Sequence, residues 1–141
     1  LNNIIINREV EIRPKIAGEG SHIPDLLVQC KTVDNKTASI IIEVKGCWNA
    51  ELRSSIRSQL YDRYLCDDNC YKYGIYLIGW YWCDKWDNER KDSKINKIKK
   101  ENRFSETDIF ETEEFFNKRA LELSKDDKQI VSIVLDLSIP N

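Results

Sequence analysis

Apolar and polar positions divide the chain into short segments of distinct period. Ile4-Ile5-Ile6 opens apolar, and then Val10 and Ile12 alternate with Glu9, Glu11 and Arg13, which predicts a half-buried strand over 4–13 that Pro14 stops. The stretch from Lys15 to Pro24, with Gly18 and Gly20, reads as a turn or loop. A second strand follows at 25–33, VDNKT at 33–37 has hairpin-turn chemistry, and 38–46 is a third strand, so the first half predicts an antiparallel meander. Asn49 is placed to cap a helix over 50–65, in which Leu52, Ile56, Leu60 and Tyr64 recur four apart as an inward stripe. Residues 73–82, YGIYLIGWYW, are nearly all apolar or aromatic, as in a strand covered on both faces, and a strand reached through a helix favours a parallel pairing. The polar stretch 86–103 reads as a loop or exposed helix. A helix over 107–123 follows, with Ile109, Phe110, Phe115, Phe116 and Leu121 as its apolar positions, and then a strand over 129–138. The predicted fold is therefore α/β, a single domain whose βββαβ core forms a mixed sheet flanked by helices, with a C-terminal αβ extension.

Composition adds three constraints. The 141 residues are 41% hydrophobic and 33% charged, ordinary for a globular domain, and no apolar run reaches the length of a membrane span. The absence of Met predicts that the segment belongs to a longer protein with further domains, and its oligomeric state is left open. No secretory signal is present, and five cysteines, an odd number, favour reduced thiols and a cytoplasmic setting over a disulfide framework. Cys66 and Cys70, with Cys83 and His22, match no strong spacing for zinc or an iron–sulfur cluster. The net charge of −2 means that any nucleic-acid contact rests on local patches. One such patch is 85–103, with eight Lys or Arg against four acids, including Lys97, Lys99 and Lys100.

Three charged residues stand where strands should be buried. Glu43 and Lys45 lie two apart at the end of Ile40-Ile41-Ile42 and so project from the same face, and Asp25, after Pro24, opens the strand predicted to pair with theirs. Charges in such a place are costly unless paired or bound to something. Two close carboxylates favour a divalent cation between them, Mg²⁺ suits an oxygen-only site, and an adjacent ammonium can hold a water or stabilise charge developing on phosphate. Asp34-Asn35-Lys36, Asp92-Ser93-Lys94 and Asp126-Asp127-Lys128 repeat the acid-x-Lys letters in polar stretches, so strand context and not the triplet carries the inference. On the following helix, Arg53 and Arg57 are four apart and could meet phosphates.

Pro24-Asp25 followed by Glu43-Val44-Lys45, in strand–turn–strand–helix–strand order over about residues 4–82, resembles the PD-(D/E)XK nuclease superfamily, whose fold is related to that of type II restriction enzymes. Gln59 in QLYDRYL is similar to the extra glutamine of the RecB-like branch, in which a tyrosine follows four residues later; here Arg63 holds that position and Tyr64 comes one place late. The stretch from EVKGCWN to YGIYLIGW also resembles nuclease domains of large bacterial proteins, some suspected in anti-phage defence. The resemblance implies Mg²⁺, with Mn²⁺ as a substitute, held by Asp25, Glu43 and the Val44 carbonyl. It implies Lys45 acting on the attacking water with Gln59 in support, and Arg53, Arg57, Arg63 and Tyr64 toward nucleic acid, expected to be DNA. It also implies products ending in 5′-phosphate and 3′-hydroxyl. Two other readings stand beside it: a non-catalytic nucleic-acid-binding or interaction module on the same fold, and an RNA-cleaving, toxin-type nuclease. For Asp25, Glu43 and Lys45 the structural alternative is an internal salt bridge, and for Gln59 a boundary residue bonded to backbone.

Overall fold

The computed structural model describes residues 4–8, 23–66, 71–80 and 109–137. They form β1 (Ile4–Arg8), β2 (Leu26–Lys31), β3 (Thr37–Gly46), α1 (Leu52–Ser55) running directly into a π-helical segment (Ile56–Cys66), β4 (Tyr73–Trp80), α2 (Ile109–Leu123) and β5 (Gln129–Asp136). The protein is thus α/β with a five-stranded mixed sheet in the order β1-β2-β3-β4-β5. β1, β2 and β3 are antiparallel neighbours, whereas β3–β4 and β4–β5 pair in parallel. The change of direction occurs where a helix intervenes between strands, as a parallel pair requires a crossover.

The β2–β3 reversal rests on local chemistry. The Thr32 N–H donates to the Lys36 carbonyl at 2.9 Å, and Asn35 sits at φ 61°, a left-handed conformation that asparagine tolerates well. Asp34-Asn35-Lys36 lies in this reversal, with Asp34 and Lys36 paired in solvent at 3.0 Å, and Asp126-Asp127-Lys128 lies in the turn before β5. The first strand, expected over 4–13, is described only to Arg8. The positions of His22, Cys70, Trp82, Cys83, Trp86 and the basic stretch 85–103 fall outside the described residues.

Strand alternation puts Ile41, Glu43 and Lys45 of β3 on one face with Gly74, Tyr76 and Ile78 of β4 and Ile130, Ser132 and Val134 of β5. Both described helices pack there. A side chain at Gly74 would meet Leu60 and Leu65 of the π-helical segment at 3.0 to 3.1 Å, so glycine sets how closely that segment approaches the sheet. The Phe116 ring of α2 tilts against Tyr76 at 5.5 Å, and Ser132 donates to the Asn117 carboxamide at 2.6 Å. Helices were expected to flank the sheet; among the described residues they share one face. On the opposite face, Ile4, Ile6, Val44, Val131, Ile133 and Leu135 are exposed.

Both helices depart from expectation in detail. Asn49 accepts the Glu51 N–H at 2.8 Å in the turn before α1, which begins at Leu52, so it orders the entry without being the cap itself. The π-helical segment closes i→i+5, a wider turn than an α-helix, and its buried residues Ile56, Leu60, Tyr64 and Leu65 carry spacings of four and five that suit this winding. In α2 the buried positions are Thr112, Phe116, Ala120 and Leu123, while Phe110, Phe115 and Leu121 are exposed. Of the five apolar positions expected, Phe116 is buried and Ile109 packs against the core, while Thr112 and Ala120 carry the rest of the inward phase, which spacing and not size sets.

Candidate active site

The site is built at the point where the meander meets the parallel half of the sheet. Leu26 pairs with Ile42, so Asp25, one residue before β2, comes opposite Glu43 just where the ladder ends. The Val44 N–H donates to Asp25 Oδ2 at 2.7 Å. A carboxylate thus takes over from the strand, and a charge-assisted bond of this kind is among the stronger ones. Two residues along the same face as Ile41, Glu43 receives the Lys45 ammonium on Oε1 at 2.5 Å, with side chains only 4% and 12% exposed respectively.

Burial pushes the Glu43 carboxyl above its ordinary range; the hydrogen bond from Lys45 opposes this, the negative charge of Asp25 adds to it, and the charges of Lys45 and Arg63 again oppose it. Two carboxylates, one ammonium and one guanidinium therefore share a common field. Beneath Glu43 lies its parallel-strand partner Tyr76, whose hydroxyl donates to the Leu52 carbonyl at 2.6 Å and is held protonated by burial and by the charge of Glu43. This bond ties the start of α1 to the strand beside the acid.

The remaining expected residues fall into different settings. Gln59 donates to Glu51 Oε2 at 3.0 Å, an acidic partner the sequence reading did not consider, although the two lie eight apart on one helical stretch. Arg63 is exposed and within electrostatic reach of Glu43. Arg53 stands instead over the Phe115 ring, 5.5 Å from its centroid, where it links α1 to α2, and Arg57 faces Asp62 at 3.7 Å in solvent. Tyr64 departs from its expected nucleic-acid contact. It is buried as its place in the inward stripe requires, and its hydroxyl donates to the Ile23 carbonyl at 3.0 Å. Burial first, and then the charge of Glu43, push this phenol up to about 12 against the opposing Arg63 guanidinium, which also hydrogen-bonds to it.

The donor set fits a hard divalent cation of the Mg²⁺ kind. That ion takes one or two carboxylates and fills its remaining positions with water and substrate oxygens, and Asp25, one residue before β2, and Glu43 of β3 are two carboxylates in each other's field. Val44, expected to contribute its carbonyl, is engaged through its amide N–H in orienting Asp25. Among the described residues no group of three or more His, Cys, Asp or Glu is arranged to hold a metal, so a cage made wholly of protein side chains is not what these residues offer. Cys30 is half-buried, Cys47 buried and Cys66 exposed, all as free thiols.

Trp48 is a further neighbour that sequence reasoning passed over. Its indole lies across Gly46, where an added Cβ would come within 2.7 to 2.9 Å of the ring. Glycine here admits an aromatic ring at the exit of β3, directly after Lys45. Comparison of the chain with known family models, curated proteins and solved structures finds no match in any of the three.

Proposed function

We propose that the protein is a metal-dependent nuclease domain of the PD-(D/E)XK type, hydrolysing phosphodiester bonds in nucleic acid, with DNA as the favoured substrate. The observation that carries this reading is the convergence of Asp25, Glu43 and Lys45 at the seam between β2 and β3, with Glu43 and Lys45 buried together on a strand end. A buried carboxylate made harder to ionise by a second carboxylate is costly to the fold, and a role in holding a cation accounts for it. The βββαβ order, the parallel β3–β4 pair and the helix that crosses between them agree with a restriction-endonuclease-like core.

In this reading Asp25 and Glu43 hold Mg²⁺ or Mn²⁺, which would supply Lewis acidity toward the phosphate and a water of lowered pKa. Lys45, once Glu43 is engaged elsewhere, orients the water for in-line attack on phosphorus. The bond to the 3′-oxygen breaks, leaving a 3′-hydroxyl and a 5′-phosphate. Arg63, exposed beside Glu43, is the arginine best placed to meet a substrate phosphate. Gln59 supports from the helix in partnership with Glu51.

A second reading is favoured by a specific observation: every member of the triad already has a protein partner, Asp25 the Val44 amide, and Glu43 and Lys45 each other. A non-catalytic nucleic-acid-binding module would need nothing more. The two readings separate when purified protein is incubated with plasmid DNA and, in parallel, with RNA, in Mg²⁺, Mn²⁺ or EDTA, beside Asp25→Ala and Lys45→Ala. The nuclease reading requires cleavage that EDTA and either substitution abolishes. Binding that survives both, without cleavage, supports the module instead.

A further inference from the structure

We infer that Tyr64 is a positioning residue for the metal site: it holds the segment Ile23-Pro24-Asp25 so that the Asp25 carboxylate faces Glu43. This deepens the nuclease reading and rests on it. Tyr64 is buried as a residue, and its hydroxyl donates to the Ile23 carbonyl at 3.0 Å in a partly buried bond, across 41 residues of sequence. Ile23 itself is exposed, so its side chain anchors little. Pro24 is fully buried and its ring fixes φ, leaving little rotation between the held carbonyl and residue 25. Asp25 then sits at a bend outside β2, exposed, where no strand pairing restrains it, and its own carboxylate reaches Val44 at 2.7 Å.

The chain of restraint therefore runs from the π-helical segment through one phenol to the backbone of Ile23, through a rigid proline to Asp25, and across to β3. Its two ends are tied to the sheet independently, because the π-helical segment packs Leu60 and Leu65 on Gly74. A phenol of raised pKa stays protonated, and so remains a donor, at neutral pH. Outer positioning partners of metal ligands typically change metal affinity by about 10- to 100-fold when removed.

The test is calorimetric titration of Mn²⁺ alone into wild type, Tyr64→Phe, Ser132→Ala and Asp25→Asn, with urea midpoints measured in EDTA. Tyr64→Phe keeps the ring and removes the hydroxyl, and with it the latch and the contact with Arg63. It is expected to weaken Mn²⁺ by about tenfold, while Ser132→Ala, which removes a comparably part-buried hydroxyl bonded to Asn117 on the far side of the sheet face, stays within about twofold of wild type. Equal Mn²⁺ affinity in Tyr64→Phe and wild type overturns the proposal, and so does equal loss in Tyr64→Phe and Ser132→Ala, since that would reflect general loosening. Where Tyr64→Phe does not fold, Pro24→Ala releases the same segment and is expected to weaken Mn²⁺ in the same direction; unchanged affinity there also overturns it. Wild type and Asp25→Asn that both fail to bind Mn²⁺ would instead remove the metal reading beneath the proposal.

Discussion

Lys45→Met isolates the energetics of the buried pair. Methionine keeps the apolar stem and deletes the ammonium, leaving the Glu43 carboxylate 4% exposed, without its 2.5 Å partner and in the field of Asp25. Removing one partner of a buried ion pair costs about 3–5 kcal/mol. Proton uptake sets a ceiling on that cost. At about 1.4 kcal/mol per pH unit, moving the carboxyl from its ordinary 4.5 to neutrality at pH 7 costs about 3.4 kcal/mol. In the folded variant Glu43 then carries a proton that the unfolded chain has released. Stability is therefore retained below about pH 4.5 and lost at about 1.4 kcal/mol per unit as pH rises toward the elevated folded value. Urea denaturation in EDTA should show a deficit that grows with pH, at no more than about 1.4 kcal/mol per unit, and that stays within about 3.4 kcal/mol at pH 7. Glu43→Leu combined with Lys45→Met removes both charges and should recover most of the loss at every pH. A Lys45→Met deficit below about 0.5 kcal/mol at pH 7, or one of constant size across this range, would show that the pair is not a buried, mutually dependent one.

Three other outcomes follow from the geometry. Because Glu43 must be ionised to serve as a ligand and its carboxyl is raised by burial, Mn²⁺ affinity should climb with pH by up to about tenfold per unit below the folded pKa and then level off, as calorimetry at several pH values would record. Gly46→Ala should cost about 1–3 kcal/mol and turn the Trp48 indole outward, seen as a lower melting temperature and stronger acrylamide quenching, because its Cβ would meet the ring at 2.7 to 2.9 Å. Asn35→Ala should lower stability by about 1 kcal/mol in thermal denaturation, through the left-handed φ of 61°, while Asn35→Gly should not.

The sheet was largely legible before any coordinates. Apolar runs punctuated by Pro24, VDNKT and Gly46 mark strands whose pairing the turn length dictates, and the shared strand face of Glu43 and Lys45 follows from a period of two. What surrounds the triad was not legible. The Tyr64–Ile23 bond depends on where a helix carries a hydroxyl 41 residues away, and the Gln59–Glu51 bond depends on side-chain reach across two turns. The stripe of α2 was legible at Ile109 and Phe116 but not at Thr112 and Ala120, because phenylalanines and a leucine at 110, 115 and 121 outweighed small residues in the correct phase. That Arg53 prefers the Phe115 ring could not be seen from the sequence, since it needs the relative placement of two helices.

The π-helical winding of Ile56–Cys66 has a consequence for chain length. A helix closed i→i+5 behaves as an α-helix that has absorbed additional residues without moving its ends. Residues four and five apart both come round to the buried side, so Leu60 is followed there by Tyr64 and Leu65 together. Insertion and deletion are thereby decoupled from side-chain placement: shortening the interval 60–63 by one residue could be met by tighter winding, with the phenol still delivered to the Ile23 carbonyl. In such a segment the buried side is counted in turns and not in residues.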